Sequence, residues 1–419
     1  MNVIIRKVSF LVGLTLCVVV WARGQIVTSA RDGLWNDPTT WDSGLVPDVA
    51  NATETVVNHN VLIPDLSSIT ITNVVVNGSL TVGVAAVVDI QPDPMPERND
   101  LQVFGTLVMS DGATLNGTSS SNTSFEAGSR YIHLQGPLGF IPYATWHPNS
   151  IFEISGFRTQ GYINIAHSDS WKQNFGHVIY NCPQQTTAFV DLNGYLRNIS
   201  GNFTIQSTNN QVLRLSTTQN PVISIGGDLV IEGSSKVWLS TTPSNAVINV
   251  AGAFRYVSTS TGISYLTTKG VVTLNVSREF EMDSPGRIQM ASTNPDSTGA
   301  RIANLNLLGD LSITNGTLIA PPSPGKGTIR FGAVGTQTVT TPGTGLNFSG
   351  NMDYVVEADA IVDLGTSVLS NTSGSLLVKG TLQVGSTHSL GAIQTTAAGN
   401  IQIRGSRTFQ PGSTIEYNG

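Results

Sequence analysis

Cysteine is nearly missing from this chain. Only Cys17 and Cys182 occur among its 419 residues, so no disulfide framework holds it together. Charge is scarce as well: Asp, Glu, Lys and Arg make up 11% of the residues, and the net charge of −6 is spread thinly. Without a basic cluster, a nucleic-acid partner is excluded. Helical periodicity is also lacking, because no stretch keeps apolar residues at i, i+3 and i+4, and Gly or Pro interrupts almost every window. No G-x-S-x-G, H-E-x-x-H or phosphate-binding loop is present. Long apolar runs are absent with one exception, Val8 to Ala22, which is preceded by Arg6 and Lys7. That run is short for a membrane span and reads as the core of a signal peptide over residues 1–24, with Ala22 and Gly24 before a cut near Gln25. The mature chain is expected to be secreted, with no transmembrane segment and Cys182 as its lone thiol.

Gly, Ser, Thr and Asn are abundant, and Val, Ile and Leu supply most of the apolar content. β-Branched residues suit a pleated surface and Gly/Asn suit turns, so the composition is that of many short strands. Nine-residue phrases recur around a central glycine: VVVNGSLTV (Gly78), LQVFGTLVM (Gly105), RNISGNFTI (Gly201), ISIGGDLVI (Gly227), INVAGAFRY (Gly252), LNLLGDLSI (Gly309), LLVKGTLQV (Gly380) and IQIRGSRTF (Gly405). Adjoining members lie 25 to 27 residues apart (Gly78 to Gly105, Gly201 to Gly227, Gly227 to Gly252, Gly380 to Gly405). TLNVSREFEM places Arg278 at the glycine position. The longer gaps are close to four and three such periods.

A period near 25 residues with two or three short strands per unit predicts a solenoid. The fold expected is all-β, a right-handed parallel β-helix (β-solenoid) of about 14 coils at roughly 25 residues per coil. Each strand would pair with its equivalent one coil later, and the glycine would mark a corner, often with positive φ. Asn77, Asn116 and Asn315, each before a glycine, fit the same role. Residues 25–66 depart from the repeat and read as an N-terminal cap, followed by the solenoid over 67–419, with irregular coils at 131–185. The last residues stop in mid-coil at GSTIEYNG, so the chain is expected to continue into a longer polypeptide.

Two stretches carry a resemblance. Trp35, Pro38, Trp41, Gly44 and Pro47 in SARDGLWNDPTTWDSGLVPDVANATETVVNHNVLI resemble the start of G8-type β-solenoid domains. SRYIHLQG, IPYATWHPNSIFEISG, NFGHVIYNCPQQT and LNGYLRNISGNFTI resemble long repetitive surface proteins exported by the type IX secretion system of gliding bacteria. The resemblance implies a secreted, cell-surface β-solenoid, usually followed by a sorting domain that is not found in this sequence. It carries no catalytic residues over.

One compositional anomaly stands out. Four of the six histidines (His133, His147, His167, His177) fall between His133 and Cys182, with Tyr143, Tyr162, Tyr180, Trp146 and Trp171. Aromatic faces pack against sugar C–H groups while polar side chains bond the hydroxyls, so Tyr143, Trp146, His147, His167, Trp171 and His177 are candidate ligand-binding residues for an extracellular glycan or cell-surface component. The bland alternative makes them core and corner residues of irregular coils. No histidine pair has metal-ligand spacing, and no cofactor is expected. An acidic loop, Asp89, Asp93, Glu97 and Asp100, offers oxygens suited to calcium but lacks the glycine-rich calcium repeat.

No catalytic residue is assigned. Asp228 and Asp310 occupy equivalent positions but three coils apart, whereas glycoside hydrolysis needs two carboxylates across one bond. Lys172 beside Asp169 is the only base–acid neighbour pair a lyase could use. The expected function is a non-catalytic, surface-associated solenoid with a structural or adhesive role and glycan binding. The alternative is a polysaccharide-active β-helix lyase or hydrolase.

Overall fold

A computed structural model describes residues 25–418, apart from 93–98, 138, 160, 164, 218–219, 242–243, 293–300, 320–324, 342–349, 386–392 and 394–398. The proposed signal peptide therefore lies outside the described residues. The chain is a parallel β-solenoid of about 13 turns at about 25 residues per turn. Each strand bonds to its equivalent in the next turn: Ile225 lies opposite Val250, and Val250 opposite Val276. Every pairing between described strands is parallel, and only the isolated Ser29–Trp41 bridge is antiparallel.

The turns have three sides. A first face carries strands such as Val222–Ile225, Ser244–Val250 and Gly270–Val276. A second follows the glycine corner, with Leu229–Ile231 and Phe254–Tyr256. The third carries Ser68–Thr72, Val87–Gln91 and Thr114–Asn116, and resumes later with Phe189–Asp191, Val212–Ser216, Lys236–Ser240 and Ile263–Thr267. Period-two alternation sets the inside: Ile223 and Ile225 are buried while Val222 and Ser224 face water. Because a single coil cannot hide its apolar side chains from the ends, each depends on its neighbours for burial. The result is one apolar column running from Val27 to Ile403.

The entry segment 25–66 is wound into the stack. Gln25–Thr28 and Gly33–Leu34 already pair in parallel with Ala52–Val57 and Asn60–Ile63. Trp35 and Trp41 are buried there, edge to face at 4.8 Å, and Trp41 Nε1 donates to the Trp35 carbonyl at 2.8 Å. The Trp-rich phrase thus builds the first turn.

The corner glycines differ from expectation. Gly227, Gly252 and Gly309 do not have positive φ. Their small size is needed because the previous coil passes underneath: a Cβ on Gly252 would lie 2.6 Å from the Gly227 carbonyl carbon. Gly201, Gly227 and Gly252 stack directly, each N–H donating to the carbonyl one coil back. Asn77 and Asn116 likewise keep negative φ, and their amides bridge coils, to Asn58 at 2.8 Å and to Asp89 at 2.6 Å. Asn315 also keeps negative φ.

Candidate functional site

The third face breaks between Asn116 and Phe189. Among the described residues two successive coils, over 134–144 and 155–173, have no third-face strand; the second carries a 3-10 helix, Ile165–Lys172, in its place. Thr114–Asn116 consequently bonds to Val87–Gln91 on one side only. Rings fill the interior here. Phe125 and Trp146 stack at 4.0 Å, Trp146 meets Phe175 at 5.0 Å, and Trp171 contacts Phe152 and Phe157.

The six sequence-derived site residues separate into three groups. Trp171 is 0% exposed and Trp146 7% exposed, so both are core residues and neither presents a face to a ligand. His147 and His177 shape corners: the Asn149 and Asn202 backbone N–H groups each donate to their Nδ1 atoms at 3.0 Å. Tyr143 and His167 come together. With Phe140, which sequence reasoning missed, they form an aromatic rim: Phe140 meets Tyr143 at 5.3 Å and His167 at 5.8 Å, both edge to face.

This rim overlooks a groove of about 670 Å³ whose opposite wall is the open strand Thr114–Asn116 with Asp111, Thr118 and Gln135. Two glutamines hold the walls in place. Gln135 Nε2 donates to the Ala113 carbonyl at 2.6 Å, tying the loop to the open strand. Gln173 brackets Tyr143: its Nε2 donates to the Pro142 carbonyl at 3.0 Å, and its Oε1 accepts from the Ala144 N–H at 2.8 Å. A lone glutamine gives no sequence signal for such a role.

His133 belongs to the core, 0% exposed, and burial pushes its imidazole down to about 4, opposed by its contact with the Gly136 carbonyl. Burial likewise raises the Tyr131 and Tyr180 phenols and lifts the Cys182 thiol to about 11. A thiol held neutral in this way is a poor nucleophile.

Asp228 and Asp310 act as braces. Asp228 Oδ1 accepts from the Ala253 N–H at 2.8 Å, and Asp310 Oδ1 from the Thr338 N–H at 2.8 Å. Lys172 and Asp169 form an ion pair at 2.7 Å on the outer side of the helix, with the Asp169 carboxylate largely exposed. Among the described residues no group of three His, Cys, Asp or Glu is placed to hold a metal ion. Of the acidic loop, Asp89 accepts from Asn116 and Asp100 from Asn122, while Asp93 and Glu97 lie outside the described residues. No described helix is long and apolar enough to cross a membrane. No family model, curated protein or solved structure matches the chain.

Proposed function

We propose that this chain is a secreted, surface-associated β-solenoid with a structural and adhesive role, which holds extracellular glycan without cleaving it. The carrying observation is the groove of about 670 Å³ with Phe140, Tyr143 and His167 along one side and hydroxyl, amide and carboxylate groups along the other. Sugars offer an apolar C–H face and a hydroxyl rim, which this pairing of walls matches. Among the described lining residues Asp111 is the only carboxylate, and two-carboxylate hydrolysis needs a partner across the bond. The apolar leader Val8 to Ala22 supports secretion. The segments from SRYIHLQG to LNGYLRNISGNFTI support placement among type IX-exported surface proteins.

Retention of the mature protein on neutral and acidic polysaccharides tests the reading. Tyr143→Ala and Phe140→Ala are expected to weaken retention about tenfold each, the scale of one lost aromatic contact. Unchanged retention would remove the groove from consideration. Sustained release of oligosaccharides by the unmodified protein would remove the non-catalytic role.

A further inference from the structure

A second groove lies on the third face beyond the irregular coils, and no sequence pattern singled it out. Parallel pairing lines up Tyr162, Asp191, Arg214, Trp238 and Tyr265 as one outward column over five successive turns. The Arg214 guanidinium lies 3.5 Å from the Phe189 ring centre and 4.8 Å from that of Trp238, and Trp238 meets Tyr265 edge to face at 5.4 Å. One or two inward residues follow in each turn, and then a second row lines the other wall: Asn193, Thr241 and Thr268 are half-buried, and Thr217 is buried and donates to Asn193 Oδ1. The second row and Tyr162, Asp191, Arg214 and Trp238 of the first flank a groove of about 440 Å³, with Tyr265 just outside its lining. With each turn advancing about 4.8 Å, five turns give a trough about 20 Å long, running along the solenoid.

The polar atoms of this column are poorly satisfied. Asp191 Oδ1, Arg214 Nε and Trp238 Nε1 are buried without a hydrogen-bond partner. Arg214 Nη1 approaches Asp191 Oδ1 only to 3.6 Å, an ion-pair contact too long for a hydrogen bond. Leaving such groups without a hydrogen bond is costly, and among the described residues the long Asp191–Arg214 contact offsets only part of that cost. Arg214 sits between Asp191 and Trp238 in the column.

We propose that this trough binds a neutral, linear polysaccharide, stacked on Trp238 and hydrogen-bonded to the Asn–Thr row. The shape selects an extended chain, since each wall is assembled from successive turns. The polar atoms select neutral hydroxyls: two are donors and one is an acceptor, and a hydroxyl serves both. A uronate would satisfy only the donors and would face the Asp191 carboxylate. Burial raises that carboxyl to about 6, with Arg214 drawing it back down. The site is separate from the groove under Tyr143 and shares no residue with it.

Affinity electrophoresis of the full chain through mixed-linkage glucan, xylan, glucomannan and polygalacturonate at pH 7.5 tests the assignment. At least one neutral polymer is expected to retain the protein, and polygalacturonate is not. Trp238→Ala should weaken that retention about tenfold, while Trp238→Phe, which keeps a ring, should stay within about threefold. Thr241→Val removes a hydroxyl from the other wall and should also weaken retention if Trp238→Ala fails to fold. Retention that persists in Trp238→Ala and falls in Tyr143→Ala would overturn this site and leave the first groove standing. Loss in Trp238→Ala alone would support this site and overturn the first. Equal retention by polygalacturonate, or none by any neutral polymer, would overturn the proposed ligand class.

Discussion

His133 sits edge to face with Phe152, Phe157 and Trp171, with no surface exposed to water. Its folded-state value of about 4 lies below the ordinary 6.5, so acid protonates the unfolded chain first. The stability it contributes is complete above about pH 6.5 and is lost as pH falls toward 4, at about 1.4 kcal/mol per unit, or roughly 3 kcal/mol in all. Thermal unfolding of the protein and of His133→Leu at pH 7.5 and pH 4 checks this. The unmodified protein should lose more stability over that interval than the variant, and equal losses would mean that the imidazole is charged inside the fold. The same residue shows what composition conceals. A cluster of histidines and aromatics between 131 and 185 was visible in the sequence, but not which of its side chains point inward. Trp146 and Trp171 point in, Tyr143 points out, and only the geometry of two coils without a third-face strand decides between them.

At the scale of a coil, repeat spacing was legible because one steric demand recurs. Where a turn crosses directly over the turn before it, a side chain at the corner collides with backbone. Gly252→Val is expected to destabilise by about 1–3 kcal/mol through that overlap. Gly332 is a useful contrast: the nearest atom to an added Cβ there is 3.6 Å away and its φ is not positive. Gly332→Ala should shift stability by no more than about 0.5 kcal/mol. Chemical denaturation of both variants measures the difference, and equal effects would show that crowding is not what requires glycine at the corners. The irregular coils were legible as an interruption. Their clamp by Gln135 and Gln173 was not, because those bonds join residues more than twenty positions apart.

For the whole molecule, stacking turns the sequence into surfaces that no single segment encodes. Asn174, Asn198, Ser224, Asn249, Asn275, Asn306 and Arg330 come from seven turns and stand opposite one another in one outward column. Within it the amides of Asn275 and Asn306 each donate to the asparagine one turn back at 2.7 Å. The trough along Trp238 arises in the same way, and it was invisible in the sequence because the alignment of its members exists only once register is set. Register is therefore the central claim, and spin-label distances along this column test it most directly. Buried Cys182, with its thiol raised to about 11, stays unlabelled beside cysteines placed in pairs at Asn174 with Arg330, Asn198 with Arg330 and Ser224 with Arg330. Six, five and four turns of about 4.8 Å give expected backbone separations of about 29, 24 and 19 Å, falling in even steps. Distances that do not fall by one strand spacing per turn would contradict the stacked register and both grooves built on it.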